Sequence, residues 1–314
     1  MRRLLVTGAD GFVGRWLVRE ALAQGWDVVA AIGPGGTGPA SWLPARDAAR
    51  VTAVTADLTV AADLAGLASV AADAVVHLAA VSSGAAARQD PEGAMRVNAV
   101  ATGELLQVLA GAGRGLRFLL VSTGEVYGAG HDAPIAETTP PDPVSPYAAS
   151  KLAAERAVLG REWEGGLEVL VARAFPHSGP GQSSAFVLPA FAARLREARR
   201  LGQREIPVGN LDVTRDFLDV RDVARAYLQL LEQETPGGIY NVASGVGRHL
   251  GDCFVQLAGL LEVDAVPVRD AALVRPADIP VLIGDPAALR SATGWHPRYA
   301  FDQTLRDLLD AQAH

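Results

Sequence analysis

The sequence predicts an α/β fold in which a doubly wound parallel sheet carries a smaller C-terminal α/β lobe. Three observations support this prediction. Strand-like and helix-like segments alternate as far as residue 174, a glycine-rich turn joins the first strand to the first helix, and shorter elements rich in Pro, Gly and Arg follow. Strands that alternate with helices form right-handed βαβ units, which build parallel sheets.

Each predicted strand is a short apolar run, and each predicted helix is a longer segment with apolar residues at helical spacing. The predicted strands of the sheet cover residues 4–7, 27–32, 51–55, 74–78, 118–122 and 169–174. The predicted helices cover residues 12–24, 63–70, 94–112 and 147–163, and short elements follow at 206–208, 217–220 and 239–242. We therefore predict a first domain over residues 1–174 and a second lobe over 175–314, with a segment at about 209–245 that returns to the first domain.

The composition argues against several classes of protein. With 314 residues, 49% hydrophobic and 20% charged, the chain can bury a sizeable core. A net charge of −7 argues against a nucleic-acid partner, which needs a basic face. The single cysteine, Cys253, excludes an internal disulfide, and the histidines show no metal-ligand spacing, so we predict no metal site. The sequence shows neither a signal peptide nor an apolar run near the ~20 residues of a membrane span, so we expect a cytoplasmic protein without membrane contact.

Residues 7–14 read Thr-Gly-Ala-Asp-Gly-Phe-Val-Gly and lie between the first predicted strand and the first predicted helix. Gly8, Gly11 and Gly14 let the backbone approach a pyrophosphate closely, and a helix N-terminus offers unpaired N–H groups and a positive dipole end. A dinucleotide fingerprint requires this strand–turn–helix context. The motif therefore predicts a Rossmann-type cofactor site, to which we also assign Phe12 and Val13.

The segments after the second and third predicted strands bear on the choice of cofactor. Asp57, followed by Leu58, is placed either to hold an adenine amino group or to cap a helix. In NAD sites an acidic residue about 20 positions beyond the glycines holds the ribose 2′-OH, but residues 30–33 here contain no carboxylate. Arg15, or a loop arginine such as Arg46, is available for a 2′-phosphate. We expect NADP(H) or NAD(H) as cofactor, with NADP(H) favoured.

One pair of residues predicts acid/base chemistry. Of the 28 Lys and Arg residues a single one is lysine, Lys151, and it lies four residues after Tyr147. Residues at this spacing share one face of a helix. A nearby ammonium favours the phenolate and lowers the pKa of a tyrosine, which brings it closer to the working range of a general acid/base. Either Ser122 or Thr123, at the end of a predicted strand, is placed to hold a substrate oxygen.

Five features of the sequence together resemble the extended short-chain dehydrogenase/reductases, the NAD-dependent epimerase/dehydratase family. They are the glycine motif, the segment His-Leu-Ala-Ala at residues 77–80, Asn98, the Ser122/Thr123 pair and the Tyr147-x-x-x-Lys151 motif. The resemblance covers nearly the whole chain. It implies an NAD(P)-binding Rossmann domain and a C-terminal lobe that binds a nucleoside diphosphate sugar. It makes Tyr147 the acid/base and Lys151 its activator and ribose contact. The remaining implied cofactor contacts are Leu78, Ala79, Ala80 and Asn98, and Asn98 is implied to support the proton network on the lysine side.

Three C-terminal segments, at residues 178–187, 209–217 and 275–280, narrow the resemblance. They are similar to GDP-mannose 4,6-dehydratases and, more closely, to GDP-4-keto-6-deoxy-D-mannose reductases. Arg215 and Arg275 offer planar forks for a diphosphate, and Asn210 and Gln182 are candidates for base or ribose contacts. The family usually has Asn where this chain has Pro176, so one contact to the sugar or diphosphate is missing or replaced.

The resulting functional prediction is NAD(P)H-dependent reduction of a 4-keto-6-deoxy sugar, with GDP-4-keto-6-deoxy-D-mannose and its product GDP-D-rhamnose as the expected pair. Glu125 stands where the 4,6-dehydratases keep their base for the C5 proton, so a dehydratase remains an alternative, as does a 4-epimerase. A non-catalytic regulator that senses dinucleotides is the alternative outside enzymes. The helices at 94–112 and 147–163 pair across a twofold axis in the family, which implies a homodimer.

Overall fold

The computed structural model of the protein describes residues 2–112, 115–160, 162–274 and 278–311. Its strands are β1 Arg3–Thr7, β2 Asp27–Ile32, β3 Val51–Thr55, β4 Ala74–His77, β5 Arg117–Thr123, β6 Glu168–Ala174, β7 His177–Ser178, β8 Glu205–Val208, β9 Thr214–Asp216, β10 Leu218–Asp219, β11 Gly238–Val242, β12 Gly247–His249, β13 Val266–Arg269 and β14 Val281–Leu282. Its α-helices are α1 Phe12–Ala23, α2 Ala45–Ala48, α3 Ala61–Ala68, α4 Gly84–Gln89, α5 Pro91–Met95, α6 Ala101–Gly111, α7 Pro146–Val158, α8 Val187–Leu201, α9 Val220–Leu230, α10 Leu250–Leu260, α11 Ala287–Thr293 and α12 Phe301–Ala311.

Seven parallel strands form the central sheet, in the order β11-β6-β5-β4-β1-β2-β3. The chain winds outward from β1 in both directions, so the predicted doubly wound Rossmann fold is confirmed. Val6 of β1 pairs with Ala30 of β2 on one side and with Val76 of β4 on the other. In such sheets ligands bind outside the carboxyl ends of the strands where the winding direction changes, here beyond β1 and β4.

Helices cover both faces of the sheet, and the central strands are therefore apolar along their length. Helices α1 and α9 pack on one face, where Leu17 and Tyr227 are fully buried. Helices α3, α6 and α7 cover the other face, where Leu105 of α6 and Phe118 of β5 belong to one buried core. A Cβ on Gly14 would lie 2.3 Å from the carbonyl oxygen of Gly8, so glycine lets α1 begin against the turn that follows β1.

Two predicted helices differ from the observed ones. The segment predicted as one helix over 94–112 contains the end of α5, a π-helical turn at Arg96–Val100 and then α6. A π-turn inserts one extra residue into the helix, often at a functional site, and leaves the apolar pattern readable as a single helix. The helix predicted over 147–163 ends at Val158. Of the short element predicted over 217–220, only Leu218–Asp219 is a strand, and Val220 already begins α9.

A separate core, formed by α8, α10 and α12, supports the C-terminal part of the chain. Three small sheets lie near it, in the orders β12-β9-β14, β13-β8 and β10-β7. Strand β11 leaves this part of the chain and pairs with β6 of the central sheet, with Tyr240 opposite Ala172. The division of the chain at residue 174 stays a prediction. In the part of the chain that the structure describes, no helix is long and apolar enough to cross a membrane.

Candidate active site

A cavity of about 210 Å³ opens beyond the carboxyl ends of β1, β2 and β4. Residues that line it include Gly8, Gly33, Asp57, Leu58, Ala79 and Ala80. Gly8 has a φ of +67°, and a Cβ there would lie 2.9 Å from the backbone nitrogen of Ala79. The turn after β1 and the segment after β4 therefore approach each other as closely as their backbones permit. Five of the thirteen predicted cofactor residues, Gly8, Asp57, Leu58, Ala79 and Ala80, line this cavity.

The next residues of the glycine motif, Gly11, Phe12 and Val13, make contacts within the protein. The N–H of Gly11 donates to the carbonyl of Gly8 at 3.1 Å, which closes the turn. The Phe12 ring stacks on His177, with ring centroids 6.2 Å apart, so the first turn of α1 touches the segment after β6. Val13 packs against the core between α1 and the sheet.

Asp57 forms a local turn with Thr59. One carboxylate oxygen of Asp57 accepts hydrogen bonds from the backbone N–H of Thr59 at 2.8 Å and from its hydroxyl at 2.7 Å. These bonds lower the pKa of Asp57, because they favour the charged form. The residue that precedes α3 is Val60. Asp57 is therefore not a helix cap, and the adenine-contact interpretation stays a prediction.

His77 lies at the centre of a buried hydrogen-bond chain that crosses the sheet. The Thr102 hydroxyl donates to the carbonyl of Asn98 at 2.8 Å, so it accepts from Nε2–H of His77 at 2.9 Å. The Thr7 hydroxyl donates to Nδ1 of the ring at 2.8 Å and accepts from the N–H of Ala79 at 3.2 Å. The partners fix a neutral ring with its proton on Nε2, and burial lowers the pKa of His77 to about 3. The chain holds the segment after β4 against β1.

Asn98 lies in the π-turn and joins the cavity wall to the helix that carries Tyr147. Its Oδ1 accepts from the N–H of Val81 at 2.7 Å, and its Nδ2 donates to the carbonyl of Val81 and, at 2.9 Å, to the Ser150 hydroxyl. The Ser150 hydroxyl donates in turn to the carbonyl of Tyr147 at 2.8 Å. Asn98 thus reaches the acid/base helix through Ser150. Its predicted role in a proton network on the lysine side stays a prediction.

Tyr147 lies in the first turn of α7, which the Ser145 side chain caps by accepting from the N–H of Ala148. The Tyr147 phenol is hydrogen-bonded to the Thr123 side chain, and the charge of Glu125 bears on it. Three of the predicted catalytic residues therefore meet. Burial, reinforced by Glu125, raises the pKa of Tyr147.

The raised pKa of Tyr147 corrects one expectation. We predicted that the ammonium of Lys151 lowers the pKa of the phenol. In the protein alone that prediction is wrong, because burial removes the water that would stabilise a phenolate. Lys151 is itself only 4% exposed, and burial lowers the pKa of its amine to about 8.

Ser122 has a different environment from its neighbour Thr123. Its hydroxyl donates to Oε1 of Glu155 at 2.5 Å, inside the protein. Glu155 also accepts from Nη2 of Arg173 at 2.6 Å, in an ion pair whose side chains are almost fully buried. The alternative in which Ser122 holds the substrate oxygen is not supported, since its hydroxyl is committed to this pair. Thr123 is the better candidate.

Two of the four predicted substrate residues, Arg215 and Asn210, contact a carboxylate outside the predicted set, Asp278. Nη2 of Arg215 donates to Oδ1 of Asp278 at 2.6 Å, and Nδ2 of Asn210 lies 3.5 Å from Oδ2 of the same residue. Asp278 belongs to the segment at 275–280 that carried the resemblance, so its carboxylate three residues after Arg275 was a usable signal. Arg275 itself lies outside the described residues.

Gln182 is engaged within its own loop. Its Oε1 accepts from the Ser178 hydroxyl at 2.7 Å, and its Nε2 donates to the carbonyl of His177 at 3.0 Å. The predicted contact of Gln182 with a base or ribose is not supported, because both ends of the amide already have partners. At the departure from the family pattern, the carbonyl of Pro176 accepts from the N–H of Leu218 at 2.9 Å, which joins the segment after β6 to β10.

Comparison with known proteins places this arrangement in context. The sequence profile described as "NAD dependent epimerase/dehydratase family" matches residues 4–243. The chain is 38% identical over 311 residues to a GDP-6-deoxy-D-mannose reductase of Pseudomonas aeruginosa, covering 98% of this chain and 96% of that one. It is 27% identical over 356 residues to a GDP-mannose 4,6-dehydratase of Vibrio cholerae, covering 100% of this chain and 95% of that one. The solved structure of RMD from Pseudomonas aeruginosa complexed with NADPH superposes with a TM-score of 0.84 at 36% identity, over 99% of this chain and 98% of that one.

Proposed function

The chain belongs to the NAD dependent epimerase/dehydratase family, and from this membership and the site geometry we propose that it is an NAD(P)H-dependent reductase of a nucleoside diphosphate 4-keto-6-deoxy sugar. The substrate that we propose is GDP-4-keto-6-deoxy-D-mannose, and the product is GDP-D-rhamnose. The observation that carries the proposal is the phenol of Tyr147, whose hydroxyl is hydrogen-bonded to Thr123 and has its pKa raised by burial. A phenol of this kind stays protonated at neutral pH and has a proton to give, as a reduction requires.

The residues of the cavity fit NAD(P)H. Gly8 and Gly14 stand at positions where a Cβ would collide with neighbouring backbone, so the turn presents bare backbone to a ligand. Asp57, whose carboxylate is kept ionised by Thr59, is placed for the adenine amino group. Lys151 is assigned to the ribose. When bound, the cofactor supplies the hydride that reduces C4.

The protein side of the reaction is acid catalysis on the oxygen at C4. The Thr123 hydroxyl is assigned to hold that oxygen beside the phenol of Tyr147. Tyr147 gives its proton to the oxygen and becomes a phenolate, which the ammonium of Lys151 stabilises by its charge. On the substrate side, Arg215 is assigned to the diphosphate, where a guanidinium pairs with two oxygens at once. Asn210 lies beside it and is assigned to the base or ribose.

A second candidate function is supported by one observation. Glu125 lies close enough to Tyr147 for its charge to raise the pKa of the phenol, and a carboxylate there is the group that a 4,6-dehydratase uses to remove the C5 proton. Dehydration begins with oxidation at C4, for which Tyr147 has to act as a base. The raised pKa of Tyr147 disfavours that direction in the protein alone, because an intact phenol accepts no proton. We therefore place the reductase first.

Two incubations separate these candidates. The protein is supplied with NADPH and GDP-4-keto-6-deoxy-D-mannose, and the loss of NADPH absorbance and the product are followed. We expect stoichiometric oxidation of NADPH and formation of GDP-D-rhamnose. In the second incubation, with GDP-mannose alone, we expect no reaction. Loss of water from GDP-mannose establishes the dehydratase instead, and a C4 epimer without net use of NADPH establishes an epimerase.

The matched variants are Tyr147→Phe, which keeps the ring and removes the hydroxyl, and Lys151→Arg, which keeps the positive charge and replaces the ammonium by a guanidinium. General acid/base catalysis contributes about 10²–10⁴-fold to a rate, so we expect kcat to fall by that order in Tyr147→Phe. A regulator that only senses dinucleotides would bind NADPH with the same Kd in the wild-type protein and in Lys151→Arg and would turn over no sugar. Measuring kcat and the Kd of NADPH on the same preparations distinguishes the two classes.

We propose a homodimer formed by α6 and α7. Val100, the last residue of the π-turn before α6, is 51% exposed, and Met95, the last residue of α5, is 37% exposed. Two small residues, Gly103 of α6 and Ala153 of α7, are only partly buried. Such a face suits a self-complementary contact across a twofold axis. Light scattering at micromolar concentration checks the mass, and Val100→Glu is expected to shift a dimer toward monomer.

A further inference from the structure

A buried ion pair lies directly beneath Lys151 on the acid/base helix. Tyr147, Lys151 and Glu155 stand four residues apart along α7, so they lie one above another on a single face. The face turns inward at its lower end, since Glu155 is 1% exposed and its partner Arg173 is 3% exposed. A carboxylate this deep in a protein is costly unless it is paired and hydrogen-bonded.

The carboxylate of Glu155 is held from two strands. Its Oε1 accepts from the Ser122 hydroxyl of β5 at 2.5 Å and from Nε of Arg173 of β6 at 3.1 Å. Its Oε2 accepts from Nη2 of Arg173 at 2.6 Å. Arg173 is fixed in turn over the ring of Tyr127, with its guanidinium carbon 4.7 Å from the ring centroid. The negative charge therefore stays at one place, on the residue one helical turn after Lys151 along α7.

Two further titratable groups near Lys151, Tyr147 and His77, carry no charge at neutral pH. Tyr147 on the same helix is a phenol with a raised pKa. His77, which faces Lys151 from β4, has its pKa lowered to about 3 and is neutral. Burial pushes Lys151 toward the neutral amine, and the field of Glu155 opposes that tendency. Among the described residues, Glu155 is the carboxylate whose field raises the pKa of Lys151.

We propose that Glu155, anchored by Arg173 and Ser122, is a positioning residue for Lys151, and that its fixed carboxylate keeps the buried amine in the ammonium form at neutral pH. This inference rests on the proposed function in one respect, since the ammonium matters because it stabilises the phenolate of Tyr147. An ion pair that only fastened α7 to β5 and β6 would leave the protonation of Lys151 unchanged when made neutral.

The composition of the chain permits a direct test. Lys151 is the only lysine, so protein produced with ¹³C- and ¹⁵N-labelled lysine gives one side-chain resonance, which needs no assignment. Its chemical shift is followed from pH 6 to 11 in the folded protein. An opposite charge within ~4–6 Å shifts a pKa by about 1–3 units. We expect the midpoint in Glu155→Gln to lie lower than in the wild type by at least about one pH unit.

Two further variants keep the test decisive. The double variant Glu155→Gln/Arg173→Gln removes both charges and leaves no unpaired ion, so it remains informative if the single variant fails to fold. The titration midpoint of Lys151 is also expected to fall in this double variant. Glu168→Gln is the matched control, because Glu168 pairs with Arg117 at the opposite ends of the same two strands, and its midpoint is expected to equal that of the wild type. An unchanged Lys151 midpoint in a folded Glu155 variant overturns the proposal.

The activity readout is separate from the titration. If the reductase assay is positive, the alkaline limb of the kcat profile is expected to move to lower pH in Glu155→Gln by the same amount as the lysine midpoint. A purely structural role would lower the unfolding temperature and leave the profile in place. If the reductase assay is negative, the proposed function fails, and the lysine titration still decides the role of Glu155.

Discussion

Ser122 and Thr123 are consecutive residues of β5, yet their hydroxyl groups contact residues two helical turns apart on α7. Ser122 donates to Glu155 in the interior, and Thr123 is hydrogen-bonded to Tyr147 in the first turn of the helix. Side chains alternate in direction along a strand, so adjacent hydroxyls with similar chemistry acquire different roles. One stabilises a buried ion pair, and the other belongs to the proposed reaction centre.

We therefore expect opposite profiles from two variants. Thr123→Val keeps the shape and removes the hydroxyl, so kcat/KM is expected to fall on the order of 10- to 100-fold, as for the loss of a hydrogen bond of about 1.4–3 kcal/mol in the transition state. Ser122→Ala removes a donor from a buried carboxylate, which costs about 1–3 kcal/mol of unfolding free energy. Steady-state kinetics and urea denaturation of both variants check this. Equal losses of activity would contradict the assignment of Thr123.

The burial of His77 predicts that the free energy of unfolding decreases in mild acid. Burial lowers its pKa to about 3 in the folded protein, against 6.5 for an unperturbed histidine. Below pH 6.5 the unfolded chain binds a proton that the folded chain does not bind until about pH 3. The stability that the neutral ring contributes is thus complete above pH 6.5 and is lost as the pH falls toward 3, by up to about 1.4 kcal/mol per pH unit.

Urea denaturation at several pH values between 7.5 and 4.5 measures this dependence. We expect His77→Asn to be less stable than the wild type at pH 7.5, because it breaks the chain from Thr7 to Thr102, but to lose less stability on acidification. His249→Asn serves as the control, since the side chain of His249 is 43% exposed. Parallel pH slopes in the wild type and His77→Asn would contradict the prediction.

The position of Arg15 predicts that the protein binds NADPH more tightly than NADH. Its Nη2 donates to the Thr37 hydroxyl at 3.3 Å, and its Nε donates to the carbonyl of Asp10 at 2.7 Å, which holds the guanidinium beside the turn after β2. A charge-assisted hydrogen bond to a 2′-phosphate is worth about 1.5–3 kcal/mol, and solvent at this partly exposed site reduces that value. In Arg15→Gln the Kd for NADPH is expected to rise about tenfold, with the Kd for NADH unchanged.

The control for Arg15 is Arg46→Gln. The Arg46 side chain is 89% exposed and lies beside Asp47, so the affinity for either cofactor is expected to stay the same. Fluorescence titration with NADPH and NADH measures all of these constants. An equal loss of affinity for NADH and NADPH in Arg15→Gln would show that Arg15 shapes the turn and does not contact the phosphate.

The assignment of Arg215 to the diphosphate predicts that its replacement weakens binding of the sugar nucleotide. In Arg215→Gln we expect KM for the GDP-sugar to rise at least about tenfold with a smaller change in kcat, as for the loss of a bidentate phosphate contact. Arg215→Lys is expected to rescue little, because an ammonium lacks the planar fork. Arg204→Gln, at an exposed pair with Asp264, is the control. A fall in kcat without a change in KM would place Arg215 outside the binding step.

The parts of the fold that the sequence predicted well are those with strong local signals. Apolar strands such as β1, the glycines at Gly8 and Gly14, and the Tyr147/Lys151 spacing depend on near neighbours in the chain. The parts that it missed depend on tertiary contacts. The direction of the Tyr147 pKa follows from burial, the engagement of Gln182 follows from a loop that closes on His177, and the π-turn at Arg96–Val100 leaves the helical pattern unchanged.

The same reason explains why Asp278 and Glu155 were not assigned from the sequence. Asp278 has a recognisable role only in the folded protein, where β9 brings Arg215 to it. Glu155 likewise acquires its role when β5 and β6 bring Ser122 and Arg173 to α7. Each is the one acidic residue of its segment, Asp278 in residues 275–280 and Glu155 in α7, and the only local signal was the position of Asp278 three residues after Arg275. Long-range pairing, which a single sequence does not encode locally, decides their surroundings.

Strand β11 makes the order of synthesis important for this sheet. Its residues 238–242 complete the edge beside β6, and α9, at Val220–Leu230, covers the face on which Tyr227 is buried. While the ribosome has delivered only the first six strands, β6 is an unpaired edge and that face is open, which is the state in which sheets join with other chains. A nascent chain stalled before residue 220 is therefore expected to recruit chaperones more strongly than one stalled after residue 242.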